Sequence, residues 1–136
     1  MFYQKSTAAL VIVVLSVFTV TAKIQKMKHI ATGLWGGQHI SMNVSSKSAT
    51  IEYDCATGVI NGPLVVDADG SFKLHGTHRP ERGGPVRADE TSSGEPAIYT
   101  GTIKGNTMTL TLKVGDSDEE TFTLEKGQPG DLVKCK

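Results

Sequence analysis

Residues 107–114 read TMTLTLKV, and this stretch decides the fold. Met108, Leu110, Leu112 and Val114 fall on one parity, and Thr107, Thr109, Thr111 and Lys113 on the other. Successive side chains of a β-strand point to opposite faces, so perfect alternation marks a strand with one buried and one wetted face. The same pattern spreads outward. ATIEYDC places Ala49, Ile51, Tyr53 and Cys55 on one side, HISMNV buries Ile40, Met42 and Val44, SFKLHG buries Phe72 and Leu74, and TFTLE buries Phe122 and Leu124.

Turn chemistry separates these runs. DADG (Asp67 to Gly70) and KGN (Lys104 to Asn106) suit tight hairpins, because Gly and Asn tolerate positive φ. GDSDEE and KGQPG make slightly longer links, and no sustained helical period occurs after residue 22. The reading is eight strands, over 39–45, 48–56, 58–66, 71–78, 97–104, 107–114, 121–125 and 131–135. Short links between successive strands predict an antiparallel meander. A meander with one apolar face hides its edges best by closing on itself. The expected fold is therefore all-β, a small up-and-down barrel of about eight strands preceded by an N-terminal signal helix, with an open sheet folded into a sandwich as the alternative. Phe72, Met108, Leu110, Leu112 and Phe122 predict a packed interior in so narrow a barrel.

The chain divides into a signal peptide (1–22), an N-terminal extension (23–32) and a barrel domain (33–136). Lys5, the apolar run Ala8 to Val20 and the small residues up to Ala22 have the order of an export signal. The uncharged run from Ser6 to Ala22 is shorter than the ~20 residues that a spanning helix needs. An uncleaved membrane anchor over residues 6–22 is the rival reading. The destination expected is periplasmic or extracellular, with no membrane contact once the signal is cleaved. The whole chain is formally neutral, with 14 Lys+Arg against 14 Asp+Glu, and shows no basic stripe or aromatic-basic interleaving. Composition therefore offers no nucleic-acid footprint. Two cysteines, Cys55 and Cys135, in an exported chain predict one disulfide, two buried thiols being the alternative. The loop enclosed is about 80 residues, for which the chain-entropy argument sets an upper bound of roughly 4–5 kcal/mol.

The candidate site rests on position. Arg79 to Pro96 is a long connection without strand pattern, rich in Pro and Gly, and loops beyond ~12–15 residues are often functional. Counting strand directions puts this loop, both cysteines and the stretch GLWGGQH (Gly33 to His39) at one end of the barrel. One difficulty follows: with strands two and eight flanking strand one, their cysteines would lie about 9–10 Å apart, beyond the ~4.4–6.8 Å Cα separation that a disulfide bridges. Either the bridge crosses the interior or strand one stops short. Trp35, His39, His78, Arg79, Glu81, Arg82 and Arg87 are the candidate ligand- or partner-binding residues. Trp35 reads either as a stacking platform or as a plug closing the barrel. The mixed charges of the loop suit a polar protein surface.

Other motifs point to ordinary structure. His75 shares the outward parity of Lys73, while His78 shares the inward parity of Phe72 and Leu74, so the two diverge where a metal needs convergence. No metal site and no cofactor are expected. DADGS and DSDEE lack the spacing of a calcium loop, and NVS (Asn43 to Ser45) is a glycosylation acceptor in form only. G-x-S-x-G, H-E-x-x-H and phosphate-loop motifs are missing, so no catalytic residue is assigned.

The succession WGGQH, IEYDCATGVINGPL, GTHRPERGGP, YTGTIKGNTMTLTL, FTLEKG and LVKC resembles a family of small exported bacterial all-β proteins without an established function. Members tend to carry an aromatic residue where this chain has His78. The resemblance implies export, a bacterial source and an all-β domain; it implies no activity. YDCATG is also similar to the Tyr-x-Cys-x-x-Gly of the periplasmic inhibitors of animal-type lysozyme, through Tyr53, Cys55 and Gly58, and the terminal CK matches as well. The inhibitory segment of that family is matched out of spacing by Ser93, Gly94, Tyr99, Lys104 and Gly105. The expectation is an exported, non-enzymatic binding module acting on an envelope or extracellular protein. An inhibitor of lysozyme or another hydrolase, and a small enzyme with an unfamiliar site, are the alternatives.

Overall fold

The structure, a computed structural model, describes residues 19–22, 27–81 and 94–135. Most of the expected signal helix lies outside these residues, as do Arg82 and Arg87.

Among the described residues ten strands form in chain order: β1 (Lys28–His29), β2 (Gly33–Gly37), β3 (Ile40–Val44), β4 (Ser48–Tyr53), β5 (Ala56–Asn61), β6 (Val65–Val66), β7 (Ser71–Pro80), β8 (Glu95–Lys104), β9 (Thr107–Val114) and β10 (Glu120–Lys126). Eight of them close into a barrel in the order β10-β2-β3-β4-β5-β7-β8-β9, and every ladder is antiparallel. The remaining two, β1 and β6, pair as a separate ribbon, Lys28 with Val66 and His29 with Val65.

The barrel has the expected strand number, but two of its members differ. GLWGG is itself the first barrel strand, pairing Trp35 with Met42 on one side and with Lys126 on the other. Closure explains its glycines: a Cβ on Gly37 would land on the Thr123 carbonyl, and one on Gly36 on the carbonyl of Gln128. The stretch 131–135 is not a strand. Its one ladder contact is an isolated parallel bridge from Asp131 to Gln38. After Lys126 the chain turns through Gly127 at φ +79° and passes Pro129, which has no N–H to give to a ladder. A third difference is that 58–66 breaks in two. Gly62 takes φ +87° and Pro63 follows, so β5 ends at Asn61 and Val65–Val66 leave the barrel to pair with β1.

The interior is filled by the inward parity that the sequence displays. Ile40, Met42, Ile51, Ile60, Met108, Leu110 and Leu124 are fully buried, together with Trp35 and Tyr99. Burial of each such aliphatic side chain is worth roughly 1.5–3 kcal/mol relative to exposure. The outward parity of β8, β9 and β10 carries threonines in register, Thr100 opposite Thr111 and Thr111 opposite Thr121.

Strand directions define two ends. The disulfide end gathers the β2–β3 turn at His39, the β4–β5 turn at Asp54 and Cys55, the stems of the β7–β8 connection and the acidic β9–β10 turn. The ribbon end gathers the β3–β4, β6–β7 and β8–β9 turns, with the β1–β6 ribbon lying over it.

Candidate functional site

At the disulfide end, the segment after β10 crosses the turns as a strap. Asp131 N–H donates to the Gly37 carbonyl at 2.9 Å, and His39 N–H donates to the Asp131 carbonyl at 2.8 Å. Farther on, Val133 N–H donates to Asp54 Oδ1 at 2.8 Å and Cys135 N–H to the Asp54 carbonyl at 3.3 Å. The Lys134 ammonium reaches the Tyr53 carbonyl at 3.3 Å and Glu52 at 3.9 Å. The strap delivers Cys135 to Cys55 with a Cα separation of 5.3 Å. This removes the expected spacing conflict, because Cys135 stands on no strand.

Asp54 is the hub of this arrangement. Its second oxygen, Oδ2, takes a 2.6 Å contact with His39 Nδ1. His39 closes the two-residue turn between β2 and β3 with φ 65°, a left-handed conformation uncommon outside glycine. The strap and the imidazole together hold the carboxylate from two sides.

Inside the same end, His78 points inward, as its parity predicts. Its ring lies 5.2 Å from that of Tyr53, which lies 5.3 Å from Phe122. Two buried polar atoms here, His78 Nδ1 and Tyr53 Oη, have no hydrogen-bond partner among the described residues. Burial pushes the His78 pKa below its ordinary value, opposed by the carboxylates of Glu120 and Glu95, the latter directly opposite on β8. Burial also drives the Tyr53 phenol far up, helped by the neighbouring Tyr99 and Glu120. Tyr99 is raised by burial too, and its hydroxyl donates to the Thr77 carbonyl at 2.7 Å.

The long connection starts on this rim. β7 runs to Pro80 and β8 starts at Glu95, so the connection is shorter than Arg79 to Pro96, spanning Glu81 to Gly94. Glu81 N–H donates to the Cys55 carbonyl at 2.8 Å, which stitches the first stem to the disulfide turn.

Of the candidate residues, His39, His78, Arg79 and Glu81 come together at this end. Trp35 does not. It sits at the centre of β2, 1% exposed, and its indole N–H donates back to the Ala31 carbonyl at 3.0 Å, on the ribbon side. The tryptophan is therefore an interior plug toward the opposite end and, against expectation, shares no surface with the stems of the long connection; residues 82–93 of that connection lie outside the described residues. Sequence reading missed Asp54 and the strap. Among the described residues, no group of three or more His, Cys, Asp or Glu side chains could hold a metal ion. Comparison with protein-family models, curated proteins and solved structures gives no match to this chain.

Proposed function

We propose that the chain is an exported, non-enzymatic binding module whose contact surface is the disulfide end of the barrel, carrying the Glu81 to Gly94 connection. A disulfide fits the oxidising periplasmic or extracellular setting of such a module. Among the described residues, no helix is long and apolar enough to cross a membrane.

One observation carries the reading: the stem of the long connection is bonded to the disulfide turn, Glu81 N–H to Cys55 O, beside the strap. Variable loops mounted on a rigid β scaffold are a recurrent way to present a binding surface. His39 and Asp54 contribute by fixing that scaffold. Both Asp54 oxygens are engaged, one by His39 and one by the strap, so the pair reads as a brace rather than as reactive machinery. Arg79, Glu81 and Glu95 give the rim charges of both signs, suited to a polar partner surface in the envelope or outside the cell.

The test replaces residues 82–93 by a short Gly-Ser link and leaves the stems intact. Site-specific crosslinking from position 79 in the native envelope should yield a partner with the wild-type chain and lose it with the replacement, with the far-UV spectrum unchanged. An identical crosslinking pattern in both would remove the loop from the function.

A further inference from the structure

We infer that the ribbon end holds a second, separate site, a groove that takes a small amphipathic anion: an apolar chain or ring bearing a carboxylate or similar head group. The groove measures about 630 Å³ and opens between the β1–β6 ribbon and the turns at Asp67–Gly70 and Gly105–Asn106. That volume falls within the roughly 300–1,000 Å³ of small-molecule sites. It exists because the ribbon is short among the described residues, the pairs Lys28–Val66 and His29–Val65 with the Ile30–Leu64 hydrogen bond beside them, and so bridges the barrel mouth without filling it.

The walls have two chemistries. Ile30, Val66, Ile103 and the Trp35 indole line it with apolar surface. The indole N–H is already used by the Ala31 carbonyl, so Trp35, 1% exposed, stands just behind the wall and brings no free donor to it. Lys28, His29 and Lys126 supply the donors, and among the described residues none of the three side chains makes a hydrogen bond or ion pair. The groove also contains Asp67 and Asp69, so its formal charge is balanced, but availability is not equal. Asp69 Oδ1 receives both the N–H and the hydroxyl of Ser71, at 3.1 and 2.7 Å, as part of the β6–β7 turn. Asp67 Oδ2 takes a longer 3.5 Å approach from the same hydroxyl. Asp69 is occupied with its own turn and Asp67 more loosely so, while Lys28 and Lys126 have no partner among the described residues. A ligand with an apolar body and one negative head satisfies both the lining and the unpaired donors.

Trp35 is the sole tryptophan, so its fluorescence reports on this groove directly. The purified protein would be titrated with dodecanoate below its micelle concentration, and in parallel with dodecyltrimethylammonium and dodecyl maltoside, by fluorescence and calorimetry. Dodecanoate should saturate at one per chain and bind about tenfold or more tighter than the other two, as expected when charge complementarity selects the head group. Lys126→Glu should weaken dodecanoate by a similar factor, and Asp67→Asn, which removes a repelling charge, should tighten it. Both changes are on the surface and leave the core alone. Equal binding of the three head groups, indifference to Lys126→Glu, or weaker binding in Asp67→Asn would each overturn the inference. Replacement of residues 82–93 should leave dodecanoate binding unchanged, so this site and the contact surface proposed above stand or fall separately.

Discussion

The two ends of the barrel are closed by different means. The disulfide end is tied by a covalent bond, a strap of backbone hydrogen bonds and the Asp54–His39 contact. The ribbon end is stoppered by one large side chain, Trp35, with a ribbon of two residue pairs laid over it. One closure depends on directional bonds between chain segments far apart in sequence, and the other on buried area. The difference teaches that polar fastening frees the rim to carry a long connection, whereas an apolar stopper leaves a groove wherever its cover falls short.

The largest expected effect is at the stopper. Trp35→Ala should cost about 3–5 kcal/mol in denaturant unfolding, the range for deleting a large buried aromatic ring. Amide exchange should accelerate first at Ile30, whose N–H donates to the Leu64 carbonyl at 2.9 Å just beyond the ribbon's two residue pairs. A loss below ~1 kcal/mol would mean that the ring is not the element holding that end.

Next is the covalent tie. Replacing both Cys55 and Cys135 by Ala should cost about 2–4 kcal/mol, since the freed unfolded chain regains its loop entropy. Exchange at Val133 and at position 135 should rise while Trp35 fluorescence stays as in the wild type. If the tryptophan signal changed as well, the ends would not be independent.

The smallest effect should have the opposite sign. His78→Phe removes a buried nitrogen without a partner and keeps an aromatic ring against Tyr53. Removing an unsatisfied group in favour of an apolar one of similar shape is near neutral or stabilising. The pH dependence follows from the lowered pKa of His78. The unfolded chain then binds the imidazole proton more readily than the folded one. Stability due to this residue is fully present above the ordinary histidine pKa, ~6.5, and is lost as pH falls from there through the lowered folded value. His78→Phe should flatten that acid-side decline in urea midpoints measured from neutral to mildly acidic pH; an unaltered slope would place the titration elsewhere.

Most of the barrel was legible because alternation is a local signal. TMTLTLKV, ATIEY and TFTLE each carry their own face assignment and are strands with the expected parity turned inward, but β4 ends at Tyr53, so Cys55, expected on the inward side, stands exposed in the turn instead. GLWGG failed for a physical reason: glycine is a poor strand former, and the demand for it at positions 36 and 37 comes from the Thr123 and Gln128 carbonyls, far along the chain. The tail LVKC, by contrast, looked like a strand, yet its backbone donors go to Asp54 rather than to a ladder. Parity alone placed His78 inside. Nothing local could pair His39 with Asp54 or move Trp35 away from the long connection, since both depend on which strand closes the barrel.

The seam that closes it is short: only Glu125 with Gly36 and Lys126 with Trp35 are in register. Those partners stand about ninety residues apart, whereas most of the other barrel ladders join near neighbours in the chain. Loop-closure entropy therefore makes this the ladder expected to zip last during folding. Trp35 lies on the seam, so in a stopped-flow refolding experiment its emission should change in the slowest phase, after the β-signal in circular dichroism has largely developed. A tryptophan change in the earliest phase would instead make the seam the nucleus.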